Sequence, residues 1–141
     1  MKIVLMHFHL KTGGVCTVLR QQISCLKEWA DILVITGEPA PSNFPVKTIH
    51  IPGIAYDRII KESCDPLTTA RAIDKAIHLK WRDGCDILHV HNPLLAKNKS
   101  YLKILKLLQS MKIRLFLQIH DFAEDGRPDV YYPETYPDRC C

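Results

Sequence analysis

Five of the chain's seven histidines fall into a pattern: His7 and His9, then His89 and His91, are each two residues apart, and His120 stands beside Asp121. On an extended strand, residues two apart share a face, so each pair presents two imidazoles side by side. Imidazoles grouped in this way can ligate a metal, move protons or donate hydrogen bonds to a substrate. A tri-histidine zinc site drawn from His9, His91 and His120 is one arrangement, although no carboxylate stands at a recognisable ligand spacing. Gly13-Gly14 is the second suggestive feature, because a glycine turn ahead of a helix lets backbone N–H groups approach a phosphate. The same turn can also serve only a tight strand-to-helix connection. The chain has neither the G-x-G-x-x-G dinucleotide fingerprint nor the G-K-[ST] ending of a P-loop. Beyond His120-Asp121, the loop adds Glu124, Asp125 and Arg127, which can bind hydroxyls or a phosphate, or simply face solvent.

These residues need elements to hold them, and hydrophobic periodicity supplies the elements. Lys2–Phe8 reads as a strand, closed by the turn signal Thr12-Gly13-Gly14. From Val15 the apolar positions Val18, Leu19, Ile23 and Leu26 recur at helical spacing, predicting a helix that ends near Glu28. Asp31–Gly37 is a strand buried on both faces, to judge from its unbroken Ile, Leu and Val. A proline-rich loop over Glu38–Pro45 leads to a third strand, Val46–Ile51, and residues 52–64 show no clear period. Asp65-Pro66 opens a helix, with Asp as N-cap and Pro at the first helical position, and an apolar stripe from Leu67 to Trp81 carries it toward Gly84. Asp86–His91 is a fourth strand, Lys99–Met111 a lysine-rich amphipathic helix, and Ile113–His120 a fifth strand. Strands alternating with helices predict an α/β fold, Rossmann-like and doubly wound, with a mostly parallel sheet and helices on both faces. In such sheets ligands bind outside the carboxyl ends of the strands, where three of the five end in histidine. His7 and His89 are expected lower in their strands, packed under a helix with their nitrogens satisfied.

A chain of 141 residues holds one domain with a full core. Its hydrophobic fraction of 47% and charged fraction of 24% are those of an ordinary soluble globular protein. Histidines and a lysine break the N-terminal apolar run too early for a signal peptide, and no segment is long enough for a membrane span. The six cysteines form no C-x-x-C pair, so they read as free thiols of the cytoplasm. The net charge of +4 is uneven: residues 1–120 carry 17 basic and 9 acidic side chains, residues 121–141 only 2 and 6. A basic body attracts phosphates or an anionic membrane surface. Nucleic acid is not expected as a partner, since no binding motif or interleaved exposed aromatics accompany the charge. A response-regulator receiver is disfavoured because the first strand ends in histidines where that chemistry needs an acidic pair. The last 21 residues hold three prolines and three tyrosines with no period that builds a core, and no helix returns to the sheet before Cys141.

The loop Gly13-Gly14-Val15 leading into a helix, the strand DILHVH followed by Asn92, and a fifth strand ending in His120-Asp121 before FAEDGRP occur in an order that, over about residues 1–130, resembles the N-terminal domain of family-4 retaining glycosyltransferases of GT-B architecture. The resemblance implies a Rossmann-like domain over residues 1–121 and a loop or tail over 122–141, cut short before a C-terminal donor domain. It implies transfer of a sugar, with retention, from a nucleotide-sugar donor to a sugar, lipid or other hydroxyl acceptor. The resemblance implies that no cofactor and no metal is required, and the protein is expected in the cytoplasm, with peripheral contact at the inner membrane face. Gly13 and Gly14 then approach the donor diphosphate, His120 and Asp121 line the reaction centre, and His91, Asn92, Glu124 and Arg127 border the acceptor. The second domain and its Glu-x7-Glu motif are absent, so this chain alone is expected to be inactive. Two other readings stay open: a non-catalytic half that binds a glycan, a lipid headgroup or a partner subunit, and a zinc-dependent hydrolase built on the strand-end histidines.

Overall fold

The computed structural model describes residues 1–60, 64–121, 130–132 and 134–137. Its elements run β1 (Lys2–His7), α1 (Gly14–Leu26), β2 (Asp31–Thr36), β3 (Thr48–His50), α2 (Pro66–Lys80), β4 (Ile87–His91), α3 (Tyr101–Ser110) and β5 (Leu115–Gln118). The five strands form one sheet in the order β3-β2-β1-β4-β5, and every pairing is parallel. The chain therefore winds outward from β1 to β3, crosses back, and winds outward again through β4 and β5. β1 and β4 are neighbours, and the crevice between their carboxyl ends is the switch point at which open α/β sheets bind ligands.

Alternation along the strands separates two cores. Ile3 and Leu5 of β1, with Ile32 and Val34 of β2, pack under Cys16, Leu19 and Ile23 of α1. Val4, Met6, Leu33, Ile35, Leu88 and Val90 face the other way, against Ala70, Ile73 and Ile77 of α2 and Leu102, Leu105 and Leu108 of α3. Burial on both faces is why these strands read as unbroken apolar runs. α2 begins as expected: the Asp65 carboxylate accepts from the Thr68 N–H at 2.8 Å, and Pro66 occupies the first turn, where its missing N–H costs nothing. Trp81 closes it, its backbone N–H reaching the Ile77 carbonyl and its indole N–H donating to Asp31 at 2.6 Å.

Several ends differ from the sequence reading. The third strand shrinks from Val46–Ile51 to Thr48–His50, and the fifth from Ile113–His120 to Leu115–Gln118. Both lie at sheet edges, where only one neighbour supplies hydrogen bonds. α1 stops at Leu26 and α2 at Lys80, short of Glu28 and Gly84.

Residues without periodicity prove to be packed. A 3-10 turn at Pro52–Ile54 buries Gly53 and Ile54. A Cβ on Gly53 would meet the Thr69 hydroxyl of α2 at 2.2 Å, and one on Gly37 the Ala55 backbone nitrogen at 2.3 Å, so both glycines are required by close packing. Described residues of the tail also join the domain, contrary to the expectation that the tail builds no core. Tyr131 bridges to Leu95, Tyr132 is buried in the α2–α3 core, and the Tyr132 and Tyr136 hydroxyls donate to the carbonyls of Asn98 and Leu94. Cys16, Cys25 and Cys85 are free thiols. No helix among the described residues is long and apolar enough to cross a membrane.

Candidate functional site

Register assembles the histidines. Leu5 of β1 pairs with His89 of β4, and His91 pairs with Gln118 of β5. In parallel strands paired residues share a face, so His7, His89, His91, Gln118 and, two residues on, His120 all lie on the α1 side of the sheet. The aliphatic core on this side ends at β1. Over β4 and β5 it gives way to imidazoles, Gln118 and Phe116, a residue that remains 54% exposed. The His89 and His91 rings stack with centroids 4.4 Å apart, and those of His91 and His120 at 5.3 Å.

His91 is wholly buried, and its Nδ1 lies 3.0 Å from His120 Nε2. The next residue repeats the connection one step along. Asn92 Nδ2 donates to the Asp121 carboxylate at 2.9 Å, while its Oδ1 accepts from the Asp121 N–H at 3.3 Å. The Asn92 N–H donates to the Gln118 carbonyl at 2.7 Å, and its backbone turns into the left-handed region at φ 54°, which asparagine tolerates better than most residues. The end of β4 therefore grips the end of β5 residue for residue. His91 and Asn92 stand behind His120 and Asp121, and being buried they present almost no surface to a ligand themselves.

His7 also supports this cluster. It is 4% exposed, and its Nδ1–H donates to the His91 carbonyl at 3.2 Å. Burial pushes its pKa down to about 4 against the opposing pull of that carbonyl. Burial, then repulsion from His89, His7 and His120, pushes His91 down to about 3. His89 is lowered too, mainly by burial, with Gln118 opposing. The expectation of a satisfied core histidine describes His7 but not His89: the Nε2 atoms of His89 and His91 are buried with no hydrogen-bond partner among the described residues. Nor do His9, His91 and His120 converge as a zinc site would require. His91 and His120 bond each other, His9 lies edge-on to Tyr56, and no group of three or more potential metal ligands occurs among the described residues.

Gly13 and Gly14 lie elsewhere on the same edge, at the start of α1. A cleft of about 530 Å³ opens there, lined by Lys11, Thr12, Gly13, Thr17, Arg20 and Asn43 among others. No side chain caps α1 and no acid occupies its first turn, so its N–H groups and positive dipole end are left for a ligand or solvent. Neither glycine is demanded by the fold: a Cβ on Gly13 would come no closer than 4.0 Å to a neighbour, one on Gly14 would meet nothing, and the Gly13 backbone is extended. This contrasts with Gly37 and Gly53. Lys11 forms an ion pair with Glu38, which also lines an apolar recess of about 380 Å³ bounded by Pro39, His50, Pro52, Ala55 and Ile59. Sequence reasoning missed this recess, because its walls come from the end of β3 and from two loops without periodicity. Glu124 and Arg127 lie outside the described residues. No known protein-family model and no curated protein matches the chain.

Proposed function

We propose that this chain is the acceptor-side N-terminal domain of a retaining glycosyltransferase of GT-B architecture, its carboxyl edge forming one wall of a cleft that a donor-binding domain completes. The observation that carries the reading is the paired grip of His91-Asn92 on His120-Asp121, beside the β1–β4 switch point. A histidine braced in this way serves reaction-centre chemistry better than a freely rotating surface ring, because preorganised polar groups need not reorganise as charge develops.

Retaining transfer builds positive charge at the anomeric carbon and negative charge on the leaving diphosphate. The uncapped start of α1, with Lys11 and Arg20 in the same cleft, suits the diphosphate, and glycines at 13 and 14 let it approach the backbone closely. His120 suits an oxygen of the donor sugar, and Asp121 the reaction centre beside it. The apolar recess next to Glu38 favours an acceptor with an apolar portion over a wholly polar sugar.

The test is nucleoside diphosphate release from a panel of nucleotide sugars by the complete gene product carrying this chain, with hydroxyl acceptors present. Turnover is expected, and His120→Ala should lower it by about 100-fold or more while the fold persists. Full turnover by His120→Ala removes that residue's role. Binding of a glycan with no release from any donor overturns the transferase reading in favour of a non-catalytic binding half.

A further inference from the structure

His120 can carry its proton on either ring nitrogen, and the choice decides what it offers a ligand. Its Nε2 faces His91 Nδ1 at 3.0 Å, so in that contact one ring donates and the other accepts. His91 decides which. Its other nitrogen, Nε2, is buried and touches no hydrogen-bond partner among the described residues. If His120 donated, the neutral His91 ring would have to carry its proton on that Nε2, leaving an N–H buried without an acceptor. If His91 donates through Nδ1–H, the buried Nε2 keeps only a lone pair. Orphaned buried N–H groups are rarer in native structures than under-satisfied acceptors, and a stranded donor bears the full penalty of desolvation. The surroundings keep His91 neutral, first by burial and then because His89, His7 and His120 crowd it and each disfavours a charge there.

We infer that His91 is a positioning residue that fixes neutral His120 as the Nδ1–H tautomer, so that His120 meets its ligand as a hydrogen-bond donor through Nδ1 and takes an oxygen acceptor there. Nε2, the nitrogen most often used toward metals and protons, is already committed to His91. Half-buried His120 has no partner at Nδ1 among the described residues, which makes it the ring atom available to the cleft. The ligand is therefore a hydroxyl, carbonyl or phosphoryl oxygen, and Nδ1–H has no lone pair with which to hold a metal ion. That this oxygen belongs to a donor sugar rests on the proposed function; the tautomer does not.

Long-range proton–nitrogen NMR of the isotopically labelled chain reads the tautomer directly. At mildly alkaline pH, wild-type His120 should show a protonated Nδ1 and a bare Nε2. In His91→Phe, which keeps a stacked ring but no donor, His120 should revert toward the Nε2–H form favoured by a free histidine side chain. A wild-type His120 protonated at Nε2 overturns the inference whether or not the variant folds, and so does an unchanged Nδ1–H form in a folded His91→Phe. In the complete enzyme, asparagine places its amide nitrogen where Nδ1 stands and glutamine places it where Nε2 stands. His120→Asn should therefore retain at least about tenfold more turnover than His120→Gln, an interval of about 1.4 kcal/mol in transition-state binding. The reverse order refutes donation through Nδ1. If NMR shows the tautomer and no nucleotide sugar is turned over, the inference stands and the transferase reading falls.

Discussion

Acidification should destabilise this domain well above the pH at which its carboxylates titrate, and His7 sets the size of the effect. Its pKa is about 4 in the folded chain against 6.5 for the free side chain, because burial of the ring disfavours its charged form and outweighs the opposing pull of the His91 carbonyl on Nδ1–H. The folded pKa is depressed, so between these values the unfolded chain binds a proton that the folded chain refuses, and stability falls as pH falls. Each pH unit between the two values is worth about 1.4 kcal/mol. The contribution is complete above about pH 7, is reduced by about 2 kcal/mol at about pH 5, and reaches a loss of about 3 kcal/mol below about pH 4. His91, depressed further, adds a loss of the same sign in the same window, although the two rings repel and do not charge independently. Asp31, Asp65 and Asp83 are held below their ordinary value by hydrogen bonds from Lys80, Thr68 and Lys2 respectively. They lose their contribution only as pH falls through still lower values, which separates their effect from that of the histidines. Urea unfolding, followed by the fluorescence of buried Trp81, should give at least about 2 kcal/mol less stability at about pH 5 than at about pH 7.5, a large part of the roughly 5–15 kcal/mol typical of a domain. His7→Asn, which places an amide donor where Nδ1 meets the His91 carbonyl and cannot titrate, should remove its share of that slope. Stability constant to within about 0.5 kcal/mol across that range, or an equal slope in His7→Asn, refutes the assignment.

Two substitutions test how the carboxyl edge is held. Asn98 is buried, and its Nδ2 donates to the Gly53 and Ala55 carbonyls at 2.9 and 2.7 Å while its Oδ1 accepts from the Ser100 N–H. Asn98→Ala should cost about 3 kcal/mol in chemical denaturation by stranding those groups, and a loss under about 1 kcal/mol would mean that water replaces the amide. Gly53→Ala should cost about 2 kcal/mol by forcing a Cβ into Thr69. Adding Thr69→Ala, which deletes the two nearest clashing atoms, should recover part of that loss in a double-mutant cycle, whereas strict additivity would place the strain elsewhere.

The sequence determined the local features of this protein. Apolar runs marked strands covered on both faces, Asp65-Pro66 marked the start of α2, and the alternation of strands and helices implied parallel pairing. These are short-range signals, because a cap or a periodicity is encoded within a few residues. It also placed histidines at three strand ends, and register then aligned them. What each histidine does was decided by tertiary structure. His91 and His120 are 29 residues apart, as are Asn92 and Asp121, and they bond only because β4 lies beside β5 with His91 opposite Gln118. Nothing in the spacing of His89 and His91 distinguishes a ligand-facing imidazole from a buried brace. Exposure and the partner of each nitrogen make that distinction, and both depend on which strand becomes the neighbour. The glycines divide in the same way: the sequence shows Gly13, Gly14, Gly37 and Gly53 alike, and only packing shows that the last two are held by contact with Ala55 and Thr69 while the first two face open space. Side-chain roles across a parallel sheet are long-range facts, fixed when crossover connections bring distant strands together in one register.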